Sequence, residues 1–252
     1  MRPMSIRRHF ATLFAAAFVA LSVPGAASAD APPRAPTVLA EVPASVLTGL
    51  SVHAASFEQM KLRGGYTFDG KVEELDGAGN PSDTKEIKMR ILPKRGEPLP
   101  LVDVIRYFEN GEDKTTEARE KAAKRKPKKD KKEIHLPFLA SEQPRYVFGI
   151  AERDPRIPSR IMVSFVPKEP AEDAFKGSAW VDTATGTLLS MGFSLSKNPI
   201  FVDHVDIRIT FGLATALGRA PSEISFDGRG GFLFVHKHYR GKATITNPQL
   251  AY

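Results

Sequence analysis

The chain has 252 residues, 42% of them hydrophobic and 26% charged, with no cysteine and a formal net charge of +7. The lack of cysteine excludes disulfides, thiolate metal sites and thiol nucleophiles together. The charge does not mark a basic protein: residues 1–29 carry +3, residues 114–133 carry +6, and everything else sums to −2, so this is a near-neutral domain with one basic insert.

Residues 1–29 read as an export signal. Arg2, Arg7 and Arg8 precede an apolar run over 10–23, and Ala27-Ser28-Ala29 places small residues where a signal peptidase reads. Cleavage before Asp30 is expected. No cysteine follows to take a lipid, and no later apolar run approaches a bilayer span. The expected location is therefore periplasmic, without a lipid anchor. Residues 30–41 are rich in Pro and Ala and read as a flexible linker. Residues 42–252 suit a single domain.

Over 43–55, Val46, Leu47, Leu50 and Ala54 fit one helical face, with Ser45 as an N-cap. Residues 60–72 alternate, with Met60, Leu62, Tyr66, Phe68 and Val72 against Lys61, Arg63, Asp69 and Lys71. They read as one strand with its even-numbered residues inward, and Gly64-Gly65 marks a bulge or bend. A turn over 76–81 leads to strands at 87–91 and 101–108.

Residues 112–133 form a Lys-rich insert. Thr116 can cap a short helix, Glu117–Lys121 and Glu120–Lys124 are supportive pairs, and Pro127 ends it. Without an apolar face, the insert reads as a solvated loop that adds little to folding. Residues 136–139 follow as an apolar plug.

Strands resume at 146–151 and 160–166. A hairpin over 177–195 turns at Asp182–Gly186 and sets Leu189, Met191, Phe193 and Leu195 on one face. Val205, Ile207, Ile209 and Phe211 alternate next. Residues 224–226 make a short strand. Over 231–246, Tyr239, Ala243 and Ile245 take one face and His236, His238, Arg240 and Lys242 the other. The fold class is mainly β: an unclosed antiparallel β-barrel of ten or eleven strands, with an N-terminal helix covering the concave face.

No nucleophile-elbow, zinc-protease, P-loop or dinucleotide motif occurs, so no enzyme and no cofactor are expected. His204, Asp206, His236 and His238 have metal-ligating chemistry, but Arg240 and Lys242 share their face and repel a cation, so no metal site is assigned. The sole Trp, Trp180, reads as packing. Lys124, Arg125, Lys126, Lys128, Lys129, Lys131 and Lys132 form a run that suits anionic lipid headgroups, or else stays solvated. No aromatic interleaves it, which argues against nucleic acid.

The sequence G-x-A-W-V-D-x-x-T-G, at Gly177, Ala179, Trp180, Val181, Asp182, Thr185 and Gly186, follows a signal, an initial helix and a long first strand. Together these resemble the LolA/LolB-like superfamily of outer-membrane lipoprotein-sorting proteins, which includes RseB-type envelope regulators. The likeness covers roughly 42–251. It implies an unclosed barrel with helices over its mouth and a cavity for acyl chains. Two features depart from that pattern: thinner helical cover and the Lys-rich insert. The implied function is a monomeric carrier of lipid or lipoprotein acyl chains; the alternative is a non-transporting sensor or adaptor of the same fold. Candidates for the cavity wall, or for plain core, are Tyr66, Phe68, Met89, Ile91, Met191, Phe193 and Phe211.

Overall fold

The computed structural model describes residues 39–93, 100–125, 135–232 and 235–250. Its first element is a 20-residue helix, α1 (Ala44–Arg63), which buries Val46, Leu50, His53, Ala54, Phe57 and Met60. That spacing is a single helical stripe continuing past residue 55. The expected strand at 60–72 therefore begins later: Met60–Arg63 is the last turn of α1. Gly64 closes it by donating its N–H to the Met60 carbonyl. Lys61 and Arg63 lie where the helix dipole favours cations. Pro43, not Ser45, is the N-cap residue.

Among the described residues thirteen strands follow: β1 (Gly64–Leu75), β2 (Pro81–Leu92), β3 (Leu101–Glu109), β4 (Glu112–Asp113), β5 (Tyr146–Arg153), β6 (Arg160–Pro167), β7 (Phe175–Asp182), β8 (Thr187–Leu195), β9 (Val202–Thr210), β10 (Leu213–Thr215), β11 (Gly218–Ala220), β12 (Glu223–Phe232) and β13 (Val235–Leu250). A second helix, α2 (Thr115–Ala123), lies between β4 and β5. Eleven strands form one sheet in the order β4-β3-β2-β1-β13-β12-β9-β8-β7-β6-β5, and β10 pairs with β11 separately. The pairing is antiparallel throughout, and the two end strands do not meet, so the barrel is unclosed.

The expected run of sequential hairpins is broken in one place. β1 pairs with β13, with Phe68 opposite Ile245 and Gly70 opposite Ala243. This joins the two ends of the chain in mid-sheet. The expected short strand at 224–226 is the ten-residue β12, and the expected strand at 231–246 is divided between β12 and β13. Inside, Phe68, Met89, Ile209, Ile224, Ala243 and Ile245 join the α1 stripe, Phe138, Val163, Phe165, Val181 and Leu188 in one core.

Both sheet edges are covered in part, as exposed edges invite pairing with other chains. On β5, the Leu39 N–H bonds the Ile150 carbonyl at 2.7 Å and the Ile150 N–H bonds the Ala40 carbonyl at 2.8 Å. The end of the segment read as a linker thus adds a bridge to the sheet. On β3, the insert does more than a solvated loop would. The Tyr107 N–H donates to Thr115 Oγ1 at 2.9 Å, and Arg119 donates to the Val104 and Ile105 carbonyls at 2.8 and 3.2 Å. These contacts lie at the β3 bulge opposite Lys88 and Met89. The connection carrying α2 also runs from the β3–β4 edge to the β5 edge, delivering the Leu136–Phe138 plug.

Arg119→Ala should therefore lower stability by about 1 kcal/mol and raise self-association through the freed edge. Urea titration and sedimentation velocity check this; unchanged behaviour in both would show that the edge needs no cover.

Candidate ligand-binding site on the concave face

The register decides which side chains share the concave face. Phe68 lies opposite Met89 and Ile245, Ile224 lies opposite Ile209 and Ala243, and Met191 lies opposite Ile209 and Ala179. α1 lies over this row. Its approach to the sheet is close where Gly49 meets Gly186 in the β7–β8 turn: a Cβ added at Gly49 would sit 2.9 Å from Gly186 Cα. Gly186 itself has φ +64°, a conformation that Gly adopts without strain. The W-V-D hairpin thus serves to seat the helix. Trp180 is on the opposite, convex face, half-buried beside Met162 and Ser190.

Of the seven proposed wall residues, Phe68, Met89, Ile91, Met191 and Phe211 are buried in the core, while Tyr66 and Phe193 are partly buried against it. The structure brings all seven into one cluster. Phe211 meets α1 directly, edge-on to His53 at 5.3 Å and to Phe57 at 5.9 Å. Phe193 packs on Phe175 at 4.7 Å. Burial raises the pKa of the Tyr66 hydroxyl, and the Arg125 charge works against that rise, which puts Arg125 of the insert near the first strand.

Under α1 the concavity is filled by the chain's own side chains: Phe138, Val163, Phe165, Val181 and Leu188 are fully buried. Away from α1, Ile87, Val102, Phe193 and Ile207 remain partly uncovered. Polar groups that the sequence reading missed bound this apolar shelf. Tyr239 donates to Glu74 at 3.0 Å, Lys237 pairs with Glu74, and Lys85 bridges Asp83 and Glu109 at 3.2 and 3.3 Å. Burial works to lower the Lys85 pKa, but the Asp83 and Glu109 carboxylates outweigh it and the pKa is raised. Only Glu74 of this rim continues the readable alternation of β1; the cross-strand pairing that gathers the rest leaves no local signal.

The convex face is charged. A groove of about 400 Å³ there is lined by Lys71, Glu73, Asp206, Arg208, Arg240 and Lys242, among others. A smaller one of about 160 Å³ lies at Thr84, Glu86, Phe108 and Gly111. The strand histidines His204, His236 and His238 lie on this side. His204 bonds Asp206 at 2.7 Å and His238 bonds Asp227 at 2.9 Å. No three potential metal ligands gather among the described residues. Of the proposed membrane-surface cations, Lys124 pairs with Glu120 at 3.6 Å. Lys126, Lys128, Lys129, Lys131 and Lys132 lie outside the described residues.

No family model matches the chain, and no curated protein matches it either. Solved structures do. One, from Vibrio parahaemolyticus, is described as an outer-membrane lipoprotein-sorting protein domain; it is 11% identical, and the match covers 81% of this chain and 93% of that one at a TM-score of 0.37. A LolA superfamily protein from Nitrosomonas europaea is 6% identical over 79% and 93% of the two chains, at 0.31. A MucA/MucB complex from Pseudomonas aeruginosa matches at 9% identity over 83% and 100%, at 0.25. Scores in this range carry no residue correspondence, so roles for side chains have to come from this chain's own geometry.

Proposed function

We propose that the protein is an exported, periplasmic binding protein for the acyl chains of lipids or lipoproteins, with the concave face under and beside α1 as its site. The observation that carries this reading is the chemistry of the α1 seat. Five of the six buried α1 side chains are apolar, and they rest on an apolar sheet face. The backbone of α1 is hydrogen-bonded within the helix apart from the Leu47 carbonyl, which accepts from Gln143 Nε2 at 3.0 Å, so an acyl chain could replace its side chains while orphaning few buried backbone groups. Each buried methylene contributes about 0.8 kcal/mol, so a chain of about 16 carbons gains on the order of 12 kcal/mol before costs. The part-covered shelf at Ile87, Val102 and Ile207 is the entry, and its polar rim keeps a headgroup wet.

The filled interior beneath α1 supports a second reading: a non-transporting adaptor whose concavity is closed by its own side chains. Two measurements separate them. Lipid extracted from the purified protein is analysed by mass spectrometry, and a fluorescent fatty acid is titrated into delipidated protein. The carrier reading expects bound lipid and saturable binding, weakened at least tenfold by Phe193→Asp. Phe193 is only partly buried, so that variant should remain folded, which circular dichroism checks. Absence of both lipid and probe binding in the wild type leaves the adaptor reading.

A further inference from the structure

The end of the half-barrel where α1 runs into β1 combines exposed leucine and isoleucine side chains with unbalanced positive charge. Leu62, in the last turn of α1, is 72% exposed; Leu101, at the start of β3, is 47% exposed; Ile105, at the β3 bulge, is 38% exposed. Three local contacts bring Leu62 and Leu101 to one end, with Ile105 four residues further along β3. A Cβ added at Gly65, three residues after Leu62, would lie 3.5 Å from Leu92 Cδ2. Leu92 is opposite Leu101 across the β2–β3 ladder. α2 runs back along β3, pinned by Arg119 to Val104 and Ile105, so its C-terminus also points to this end.

The same end carries Lys61, Arg63, Lys121, Lys124 and Arg125. Against them stand Glu58, which pairs with Lys61 at 2.8 Å, and Glu120, which pairs with Lys124. Among the described residues, five cations against two carboxylates leave a local excess of positive charge. The nearby Arg90–Asp103 pair, at 3.2 Å, adds nothing to it.

We propose that this end docks peripherally on an anionic bilayer surface, with Leu62, Leu101 and Ile105 entering the interface and the lysines and arginines meeting lipid phosphates. Apolar side chains that project singly from three elements form no groove for a partner segment, but a fluid surface needs no shape complementarity. Basic residues around them add attraction that salt weakens. No described helix is long and apolar enough to cross a membrane, so the contact is lateral. The cations beyond Arg125 are not needed for it. The inference goes beyond acyl binding and stands without it: a fatty-acid probe in solution reads the concave site, and vesicles read this end.

The test is sedimentation of the full chain with vesicles of phosphatidylglycerol and phosphatidylcholine in equal parts, and with phosphatidylcholine alone. The expected result is binding to the anionic vesicles at low salt and little to the neutral ones. Leu62→Asp should lower the partition coefficient about tenfold. Lys121→Gln, Lys124→Gln and Arg125→Gln together should lower it by on the order of a hundredfold at low salt, and less at high salt. Val52→Asp is the control. Val52 is 64% exposed on α1 and ten residues, or about 15 Å, from Leu62, so binding should not change. All the substituted side chains lie at least partly on the surface, and thermal melts confirm folding. Wild-type protein that ignores anionic vesicles, the outcome that an acidic protein partner predicts, overturns the proposal. So does Leu62→Asp binding as well as wild type, which would reduce the effect to diffuse charge attraction.

Discussion

Phe211→Ala should destabilise the protein by about 3–5 kcal/mol, a large part of the roughly 5–15 kcal/mol that holds a typical domain together. Phe211 is 1% exposed. It follows the last residue of β9, and its N–H is held by the Leu189 carbonyl at 2.8 Å. From that fixed point its ring reaches α1, standing edge-on to His53 and Phe57. Truncation removes the ring's buried area, leaves a hole where the helix meets the sheet, and takes away two aromatic contacts. The loss should concentrate on the cover. Hydrogen exchange in Ala44–Arg63 should accelerate more than in β7 and β6, which lie two and three strands away from β9. The hole should also admit a small apolar probe that wild type refuses, as apolar cavities do. A loss below about 1 kcal/mol, or uniform acceleration of exchange, would mean that α1 is not seated through this ring.

How much of this was legible depended on whether a residue's role is set by its near neighbours. The alternation in β9 was, since each of its apolar residues, Val205, Ile207 and Ile209, is separated by one polar residue and faces inward as read. Leu189 was not. The β7–β8 ladder shifts between Trp180 and Val181, so Leu188 points in and is fully buried while Leu189 is the extra residue. A bulge is a property of two strands, and one strand's sequence does not announce it. The overrun of α1 has a different cause. Met60 and Leu62 satisfy a period of two as well as Met60 satisfies the helical stripe from Phe57, and the stripe won because it extends an existing helix.

β12 was read only as the short strand 224–226, because Gly228, Gly230 and Gly231 have no side chain to mark a face. Gly230 is needed there: a Cβ would sit 2.2 Å from the Phe201 carbonyl oxygen. By contrast, the Asn110-Gly111 turn between β3 and β4 was available and overlooked. Both residues take positive φ, at 52° and 81°, which is the standard signature of a two-residue hairpin loop. The candidate wall residues were legible as a set, since alternation assigns them a face. The polar rim was not: Glu74 meets Tyr239 and Lys237 only because β1 pairs with β13 from the other end of the sequence, and Lys85 meets Glu109 through the β2–β3 register.

Stability should fall by about 3 kcal/mol between pH 6.5 and pH 4 through one residue, His53. Its side chain is 8% exposed in the α1 seat, and Nε2 has no hydrogen-bond partner. The groups facing it are the Phe211 ring and, as the charged neighbour, Arg219 of β11. Burial first, and then the Arg219 charge, lower its pKa from 6.5 to about 4. Above pH 6.5 His53 is neutral in both folded and unfolded chains, so its full contribution is present. As pH falls below 6.5 the unfolded chain takes up a proton that the folded chain refuses. Stability then drops by about 1.4 kcal/mol per pH unit until the folded pKa is reached. Carboxylates enter the balance lower down. Glu73, Asp76, Asp113 and Asp154 have pKa values lowered by hydrogen bonds, chiefly from Lys71, Asn80, Thr115 and Arg156 in turn. Their contributions are lost as pH passes down through the ordinary carboxylate range, leaving pH 6.5 to 5 to His53. Urea midpoints for wild type and His53→Leu across that range decide the matter. The wild-type curve should slope downward toward acid, and the variant curve should be flatter by about one proton. Parallel curves would show that His53 takes its proton without leaving the seat. A proton forced onto His53 is opposed by burial in the α1 seat and by the Arg219 charge, and water can reach it only if the helix lifts, so acid should open the cover before it unfolds the sheet.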